Sequence, residues 1–402
     1  AGSLWRATQL MAGRTATLRA TISVQGRFHA FHLARELDRQ GHLERLITTF
    51  PKFETVKYGV PRDRIRSLIG YEVAQRFWRN LPGAVRRACD LEYPIKILFD
   101  RHVAALLRPG SEVFVGWSGV SVASIRRARE LGMKTFLERG SAHMLSQLEI
   151  LREEYARHGL PFHEHHPGIT ERELIEYDEA DRICVPSRFV ERTFLERGVA
   201  PEKLIRNPYG VDLSHFGPGT KSDDVFRVIF CGALSIRKGL GTLLQAFQEL
   251  DLPNSELWLI GSRQTETEPL LARHARPNIR HLGPFPEFEL HRRYIQGSVF
   301  CMPSIEEGLA MVQVQAMACG LPLICTTNTG GEDLIEDGKQ GFVLPVRDVE
   351  ALKGALETLY RDPERRAEMG RSARARVEAG FTWADYAGRA AAAYASALEA
   401  GS

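Results

Sequence analysis

Two adjacent carboxylates followed by a glycine form the stretch of the sequence best suited to chemistry. Glu306, Glu307 and Gly308 lie between an apolar run at 297–303, which is typical of a buried strand, and a helix-forming run at 311–318. Free backbone amides at the start of such a helix attract anions, and a nucleotide diphosphate would fit there. A carboxylate beside a phosphate is unfavourable unless hydroxyl groups donate to it, and a sugar supplies hydroxyl groups. The alternative is that both carboxylates only cap the helix and complement its dipole.

A basic loop bounded by Gly232 and Gly239 is the second candidate for an anion site. Arg237 and Lys238 stand just before the second glycine. A predicted helix at 240–250 follows, so two cations, backbone amides and a helix N-terminus come together, which suits a diphosphate. Solvated surface charges are the alternative. The sequence has no G-x-x-x-x-G-K-[ST] motif and no G-x-G-x-x-G after its first strand, which excludes a P-loop by pattern and argues against a dinucleotide dehydrogenase.

Two residues of the first half directly follow predicted strands. His143 stands just beyond the strand predicted at 134–139, where open α/β sheets place their ligands, although a single histidine is often structural. Gly26 lies in the turn after the strand predicted at 20–24, and such a glycine marks either a ligand loop or only a tight turn. Three further histidines share one loop but have no acidic ligand set beside them, so no metal site is predicted there: His163, His165 and His166.

Bulk composition excludes several classes of protein. A chain of 402 residues suits two domains, and its 44% hydrophobic and 26% charged residues are typical of a soluble globular protein. The net charge of +3 gives no general reason to expect nucleic-acid binding, and no apolar run is long enough to span a membrane. The six cysteines form no C-x-x-C pair, which favours reduced core thiols in a cytosolic protein. Residues 1–19 are expected to be an N-terminal extension or a cloning remnant rather than a secretory signal.

Strand-like and helix-like segments alternate along both halves of the chain. The predicted strands are 20–24, 43–50, 112–117, 134–139, 181–187, 204–210, 226–231, 256–260, 279–282, 299–302 and 323–325. This alternation predicts two α/β domains, each a Rossmann-like, doubly wound parallel sheet with helices on both faces, and a cleft between them. A segment rich in Gly, Ser, Pro and Asp is typical of a linker. The expected division is an N-terminal domain at 20–215, a linker at 216–225, a C-terminal domain at 226–380 and a final helix at 381–402.

The segment from Lys57 to Asp90 differs from the rest of the chain because it carries eight Lys and Arg residues and few acids. Phe77, Trp78 and Leu81 are interleaved with these cations. A basic amphipathic segment can lie on an anionic membrane surface or hold an anionic acceptor. The alternative is a solvated helix face packed on the core of the first domain.

The order of these pieces resembles the retaining glycosyltransferases of family 4, which have the GT-B fold. The resemblance covers about residues 20–395 and is most specific over 228–341. The segments that carry it are Gly232–Gly239 with Lys238, Ile260-Gly261, His281-Leu-Gly283, Pro303-Ser304, Glu307-Gly308, Ala316–Gly320, Gly330-Gly331, Asp337-Gly338 and Gly341, with Asn207–Asp212 in the first half. The resemblance implies two Rossmann-like domains facing a central cleft, with the final helix crossing back to the first domain.

The resemblance also implies a role for each matching residue. Lys238 would neutralise the diphosphate of a sugar donor, Glu307 would accept from hydroxyls of the donor sugar, and His143 would lie beside that sugar. Other implied donor contacts are Gly26 near the diphosphate or the acceptor, the backbone from Gly283 to Phe285 against the base, the amides of Gly308, Leu309 and Ala310 against the sugar and phosphates, and Gln315 against the ribose.

Two positions depart from the pattern of the family. The family usually has a second glutamate eight residues after Glu307, and Gln315 stands there instead, which can still bond a ribose hydroxyl but without charge. The arginine that usually follows the first glycine of the basic loop is Ala233, and Arg237 beside Lys238 is the candidate replacement. The resemblance therefore implies the fold more strongly than it implies the ribose and diphosphate contacts.

The function implied by the resemblance is transfer of a sugar from a nucleotide-diphosphate sugar to an acceptor hydroxyl, with retention of configuration, in polysaccharide or other cell-envelope synthesis. No metal and no other cofactor is expected, because cations and a helix N-terminus would stabilise the leaving group. The expected partners are the donor and a saccharide, lipid-linked or small-molecule acceptor, and the expected location is the cytoplasm with peripheral membrane contact through Lys57–Arg87. Two alternatives stay open: a nucleotide-sugar epimerase or hydrolase on the same fold, and a catalytically weak transferase-like binding subunit.

Overall fold

A computed structural model describes residues 18–82, 85 and 90–400. Contacts divide these residues into two compact units. The first unit holds residues up to Leu137, Ile175–Asp181 and the residues from Ala387; the second holds Glu138–Leu174 and Arg182–Tyr386. These two units do not coincide with the domains predicted from the sequence, whose bounds stay a prediction. The expectations for residues 1–17, Arg86, Arg87 and Cys89 lie outside the described residues.

The first sheet has seven strands. They are β1 Ala20–Val24, β2 Leu43–Thr48, β3 Ile65–Ser67, β4 Val113–Trp117, β5 Lys134–Glu138, β6 Arg182–Val185 and β7 Leu204–Arg206. Their order is β3-β2-β1-β4-β5-β6-β7, and β1 pairs in parallel with both β2 and β4. Every residue of β1 and β4 is buried, as expected for apolar strands in a parallel sheet that is covered on both faces. The strand order reverses between β1 and β4, and sheets of this kind bind ligands beyond the carboxyl ends of such strands.

The second sheet has six strands, all paired in parallel. They are β8 Phe226–Cys231, β9 Ser255–Ile260, β10 Ile279–Gly283, β11 Val299–Met302, β12 Leu323–Thr326 and β13 Gly341–Leu344. Their order is β10-β9-β8-β11-β12-β13. β8 and β11 lie side by side, with Val228 opposite Val299, and the strand order reverses between them. The loops that follow these two strands therefore emerge next to each other.

Sixteen α-helices are described in these residues. They are α1 Ala30–Arg39, α2 Lys52–Thr55, α3 Ile69–Arg79, α4 Glu92–Leu106, α5 Val122–Glu130, α6 Met144–Arg157, α7 Pro167–Glu179, α8 Arg188–Leu195, α9 Leu240–Leu250, α10 Glu268–Arg273, α11 His291–Tyr294, α12 Met311–Ala318, α13 Gly331–Leu334, α14 Val349–Arg361, α15 Pro363–Glu378 and α16 Trp383–Glu399. Short 3-10 turns lie at Val56–Tyr58, Arg62–Arg64, Pro201–Lys203, Ile236–Lys238, Thr265–Thr267 and Glu287–Glu289.

Several helix ends follow directly from the local sequence. The carboxylate of Asp348 accepts from the N–H of Ala351 at 2.8 Å and caps α14. Asp362 caps α15 in the same way, with an N–H of Arg365 at 2.9 Å, and Pro363 occupies the first turn, where its missing N–H costs nothing. The final helix begins in the second unit, and its residues from Ala387 belong to the first unit.

The predicted α/β class with two parallel sheets is confirmed. All eleven predicted strands are present, with bounds that shift by up to four residues. Two strands were not predicted, β3 and β13, because each is short: β3 has three residues with one apolar side chain, and β13 has four residues. β3 and α3 both lie in the basic segment.

No helix among the residues described here combines the length and apolar character that crossing a membrane requires. Five cysteines in the same residues are buried and unpaired, as the sequence predicted for core thiols: Cys184, Cys231, Cys301, Cys319 and Cys325.

Candidate functional site

The acidic loop, residues 303–310, connects β11 to α12 and carries both carboxylates. Ala310 is the N-cap residue of α12, and its backbone is extended, but its side chain provides no cap. Glu306 and Glu307 form ion pairs with the basic residues of another loop. The alternative that both carboxylates serve only as helix caps is therefore wrong.

The basic turn, Ile236–Lys238, follows β8 and precedes α9. It ends at Gly239, whose φ of +66° favours glycine, and a Cβ atom there would lie 1.9 Å from the carbonyl oxygen of Pro303. The N–H of Ile305 also donates to the carbonyl oxygen of Arg237 at 2.9 Å. Because the backbones of the two loops touch, the cations predicted as diphosphate ligands lie beside the carboxylates predicted as sugar ligands.

Glu307 and Lys238 form an ion pair, and both side chains are largely buried. Nη2 of Arg237 lies 3.9 Å from the same carboxylate oxygen. Burial alone would raise the pKa of Glu307, but the ammonium of Lys238 and the guanidinium of Arg237 outweigh it and lower that pKa. Glu307 is thus ionised at neutral pH, and its carboxylate can accept hydrogen bonds from hydroxyl groups. Its backbone is fixed as well, since its N–H donates to the carbonyl oxygen of Asn328 at 2.9 Å.

Glu306 is fully buried and accepts from three groups. Its carboxylate takes the N–H of Ala142 at 3.0 Å, Nε2 of Gln147 at 2.8 Å and Nε of Arg237 at 2.8 Å. Nε of Arg237 also donates to the backbone oxygen of Glu306 at 3.0 Å. The carboxylate therefore ties the basic turn to the segment that carries His143. The family resemblance implies a role for Glu307 and none for Glu306, whose partners at 142 and 147 are about 160 positions away along the chain.

Gly308 brings the acidic loop into close contact with the loop that precedes α6. A Cβ atom on Gly308 would lie 2.0 Å from the carbonyl oxygen of Gly140, so no other residue fits without a shift of the backbone. Its own carbonyl oxygen accepts a hydrogen bond of 2.6 Å from Oγ of Ser187. The N–H groups of Gly308, Leu309 and Ala310 donate to no other group in the described part of the chain, which leaves three donors at the positive end of α12 for an anion.

His143 is the N-cap residue of α6. Its Nδ1 accepts from the N–H of Leu145 at 3.3 Å, and its ring packs edge-on against Phe194 with 4.9 Å between ring centroids. Burial, and then the charges of Arg139 and Arg197, lower the pKa of His143 to about 4. The imidazole is therefore neutral at neutral pH and has a structural role as a cap. Its neighbour in sequence is held by Glu306, so the structure brings this segment to the two loops.

The residues predicted to meet the ribose and the base lie on neighbouring segments. Gln315, on α12, is only 4% exposed, and its Nε2 donates to Oε1 of Glu287 at 3.1 Å. Glu287 is two residues beyond Phe285, whose ring lies 4.5 Å from the guanidinium carbon of Arg293. Gly283 ends β10 with a φ of +75°. The contact between Glu287 and Gln315 thus joins the segment predicted to bind the base to the residue predicted to bind the ribose.

Gly26 belongs to the first unit and lies in the turn after β1. Its φ is +100°, its N–H donates to Oγ1 of Thr49 at 3.0 Å, and its carbonyl oxygen accepts from Oγ1 of Thr48 at 2.7 Å. The turn is therefore fixed by the end of β2. Its predicted contact with a donor or acceptor stays a prediction. Within the residues that the structure describes, no three His, Cys, Asp or Glu side chains gather as metal ligands would.

A family model covers most of these site residues. Residues 214–376 match the model described as glycosyl transferases group 1. This range includes the basic turn, the acidic loop and Gln315, whereas His143 and Gly26 precede it.

Two curated relatives resemble about half of the chain. A GDP-mannose-dependent monoacylated alpha-(1-6)-phosphatidylinositol monomannoside mannosyltransferase of Corynebacterium glutamicum is 30% identical over 227 residues, which are 51% of this chain and 59% of that protein. A sulfoquinovosyl transferase of Arabidopsis thaliana is 29% identical over 214 residues, which are 50% of this chain and 41% of that protein. The chain thus spans about half the length of the curated relatives it matches.

Two solved structures share the fold over nearly the whole chain. Sucrose-phosphate synthase from Thermosynechococcus elongatus superimposes with a TM-score of 0.72 at 19% identity and covers 95% of this chain and 100% of that one. Anabaena HepE in complex with UDP and glucose gives a TM-score of 0.68 at 13% identity and covers 94% and 100%. The chain therefore has the GT-B fold, and its residues 214–376 are similar to the glycosyl transferases group 1 family, which agrees with the resemblance to the family 4 glycosyltransferases.

Proposed function

We propose that this chain transfers a sugar from a nucleotide-diphosphate sugar to an acceptor hydroxyl, with retention of the anomeric configuration. The observation that carries the proposal is the meeting of Lys238 and Arg237 with Glu307 at the start of α12. Two cations and three free amides suit a diphosphate, and an ionised carboxylate beside them suits the hydroxyl groups of a sugar.

The leaving group of this reaction is a nucleoside diphosphate, on which negative charge builds as the glycosidic bond breaks. Lys238, Arg237 and the N-terminal end of α12 stabilise that charge because they are already in place before the donor arrives. Glu307 holds the sugar through its hydroxyls while the acceptor approaches on the face that the diphosphate leaves. The departing phosphate takes the acceptor proton, so no protein base is needed. His143, which is neutral at neutral pH, lies beside the sugar without adding charge.

The same charges support the proposal that the reaction needs no metal ion. A diphosphate in a low-dielectric site requires a counter-charge, and here two side chains and a helix terminus supply it. Activity in the presence of a chelator, at the level seen without it, is the expected result. Loss of activity on chelation, restored by a divalent cation, would contradict this part of the proposal.

The acceptor is proposed to bind the first unit, beyond the carboxyl ends of β1 and β4. The strand order reverses there, and two buried polar atoms at this edge, Nε2 of Gln25 and Oγ of Ser118, have no hydrogen-bond partner within the described residues. A hydroxyl-rich saccharide, free or lipid-linked, would satisfy both. Gln25→Leu and Ser118→Ala are expected to raise the KM for the acceptor and to leave nucleotide affinity unchanged.

The chain is also proposed to contact an anionic membrane peripherally, through α3. Ile69, Val73 and Phe77 are exposed at intervals of four residues, so they form one apolar stripe along the helix. Arg66 and Arg79 are exposed nearby in the sequence and have no acidic partner in the described part of the chain. An apolar stripe flanked by cations matches the surface of an anionic bilayer.

Co-sedimentation with vesicles tests the membrane contact. Wild-type protein is expected to bind phosphatidylglycerol vesicles and not phosphatidylcholine vesicles, and Val73→Asp with Phe77→Asp is expected to abolish that binding. Phe288→Asp is the matched control, because Phe288 is also exposed, at 62%, but lies in the second unit. Equal binding by both variants would rule out the α3 stripe.

The donor proposal is tested by the melting temperature of the purified protein with UDP, GDP and other nucleoside diphosphates and their sugars. One nucleoside diphosphate is expected to raise it, Lys238→Ala is expected to remove the shift, and Lys339→Ala, at an exposed lysine, should not. In an activity assay, consumption of the donor in the absence of any acceptor would favour a nucleotide-sugar epimerase or hydrolase. Donor binding without turnover of any of many acceptors would favour a transferase-like binding subunit. No shift by any nucleotide at millimolar concentration would contradict the proposal.

A further inference from the structure

A third loop fixes the start of the basic turn. The N–H of Ile236, the first residue of the basic turn, donates to Oε1 of Glu266 at 3.2 Å. Thr267 is fully buried, and its hydroxyl donates to the carbonyl oxygen of Leu234 at 2.8 Å. The 3-10 turn Thr265–Thr267, which comes after β9, therefore holds the chain that leads into the basic turn at two points.

Tyr155, on α6, in turn holds the carboxylate of Glu266. Its hydroxyl oxygen lies 2.8 Å from each carboxylate oxygen of Glu266, to which it donates. Burial and the hydrogen bond to Glu266 raise the pKa of Tyr155, so the phenol is protonated at neutral pH and can donate. The ring packs against Phe162, with 5.2 Å between ring centroids. Hydrogen bonds to a charged acceptor are the stronger kind, so this contact orients the carboxylate that receives the N–H of Ile236.

The helix α6 thereby reaches both charged loops of the proposed donor site. Near its start, Gln147 donates to Glu306 of the acidic loop, and near its end Tyr155 reaches the basic turn through Glu266. The two residues of α6 lie about 12 Å apart along the helix axis. A loop that presents two cations to a ligand depends on such supporting contacts, because small displacements of binding groups cost much of the affinity.

We infer that Tyr155 is a positioning residue of the proposed donor site: through Glu266 it fixes the backbone of the basic turn, so that Arg237 and Lys238 face the diphosphate. The inference rests on the proposed function, because the diphosphate of the donor is the ligand that needs these two cations. The other end of the basic turn is fixed independently, since the N–H of Ile305 donates to the carbonyl oxygen of Arg237 at 2.9 Å. Loss of the Tyr155 hydroxyl should therefore loosen the start of the basic turn and leave the acidic loop in place.

The experiment compares a nucleoside diphosphate with its monophosphate, UDP with UMP or GDP with GMP, by titration calorimetry on the full chain. Wild-type protein is expected to prefer the diphosphate, and Tyr155→Phe is expected to reduce that preference about 10-fold. Glu266→Ala, which also frees the N–H of Ile236, should reduce it further, and Glu266→Gln, which keeps an acceptor oxygen, should reduce it least. Tyr360→Phe is the matched control and should bind as wild type, because its hydroxyl donates to the carbonyl oxygen of Pro253 at 3.0 Å.

Hydrogen exchange of the ligand-free protein gives a second measurement of the same contact. In Tyr155→Phe, the backbone amides of residues 236–239 should exchange faster than in the wild type, because the start of the basic turn is held less firmly. The amides of the acidic loop should exchange at the wild-type rate.

Three results would overturn the inference. An unchanged preference for the diphosphate in Tyr155→Phe, whatever its melting temperature, would mean that the hydroxyl only stabilises the fold. Equal weakening of both nucleotides would mean that Tyr155 does not act through the cations of the basic turn. Unchanged exchange at residues 236–239 would mean that the turn is held without Tyr155. If neither nucleotide binds the wild-type protein, or both bind equally, the proposed donor site itself fails, which is a different outcome from these three.

Discussion

At the scale of single residues, the opposite charges of the basic turn and the acidic loop neutralise one another. Lys238 pairs with Glu307, and Arg237 pairs with Glu306. A diphosphate must therefore share its cations with carboxylates that are already present. Glu306 differs from Glu307 in being completely buried, with a backbone amide and Gln147 as its other partners. Because the Arg237 side chain is 32% exposed, removing the Glu306 carboxylate is expected to cost less than the roughly 3–5 kcal/mol typical of a fully buried pair.

The Glu306→Gln variant is predicted to lose both stability and nucleotide affinity. A glutamine keeps the shape, but its amide group would meet the donors of Arg237 or Gln147, so Arg237 loses its fixed position. The melting temperature and the dissociation constant for a nucleoside diphosphate measure the two effects. Glu176→Gln is the control, because Glu176 is a fully buried carboxylate of the first unit that accepts from the N–H groups of Gly119 and Ser121. Glu176→Gln should lower the melting temperature and leave the nucleotide affinity unchanged. An unchanged nucleotide affinity in Glu306→Gln would contradict the role of Glu306 in fixing Arg237.

His143 is predicted to make the protein less stable in mild acid. Its pKa is lowered to about 4 in the folded chain, from an ordinary value of 6.5. Since the folded state holds the neutral form, the stability it contributes is complete above pH 6.5 and is lost as the pH falls toward 4. His143→Asn keeps a capping acceptor and does not titrate, so its melting temperature should fall less than that of the wild type between pH 6.5 and 4. Parallel curves for the two proteins would show that His143 does not contribute.

At the scale of elements, two loops after neighbouring strands build the proposed donor site. The basic turn follows β8 and the acidic loop follows β11, and these strands are paired in the middle of the second sheet. Gly239 permits the close approach of these two loops, because a side chain there would collide with the carbonyl oxygen of Pro303. Gly308 permits the contact of the acidic loop with the loop before α6 in the same way. The order of strands, rather than any one residue, thus decides which charges meet.

A Gly308→Ala substitution is predicted to damage the site through the backbone. The new Cβ would lie 2.0 Å from the carbonyl oxygen of Gly140, so the acidic loop must move away and the free amides lose their arrangement. Loss of the nucleotide-induced rise in melting temperature is the expected readout. Gly354→Ala, in α14 with open space around its Cβ, should instead raise stability by about 0.5–1 kcal/mol. A Gly308→Ala variant that binds nucleotide normally would show that the contact is not needed.

At the scale of the whole molecule, the two charged loops, residues 140–147 and Gln315 of the proposed donor site belong to the second unit, whereas Gly26, another predicted donor contact, belongs to the first. The proposed acceptor edge and the α3 stripe belong to the first unit. The chain thus distributes the proposed recognition of donor and acceptor between its two units.

Hydrogen exchange is predicted to change in a few segments when a nucleoside diphosphate binds. Protection should increase at the acidic loop, at the basic turn and at residues 140–147, because the ligand takes up the free amides and fixes the loops around them. The buried strands β1 and β4 should not change. Protection at Gly26 would support its predicted contact with the diphosphate, and protection confined to the first unit would contradict the assignment of the donor site.

Sequence by itself determined the alternating architecture and the residues of the two charged loops. Apolar runs alternating with helix-like segments predicted eleven strands, and the types and spacing of Arg237, Lys238 and Glu307 predicted an anion site beside a sugar site. These signals are local, since each depends on residues a few positions apart.

Only the tertiary structure decided which distant groups meet. Glu306 joins two segments because the fold brings Ala142 and Gln147 to its carboxylate. The carboxylate that contacts Gln315 belongs to Glu287, which lies on another segment. The fold also showed His143 to be a buried, neutral helix cap. Such facts depend on contacts across many positions of the chain and on burial, and a pattern read along a single sequence contains neither.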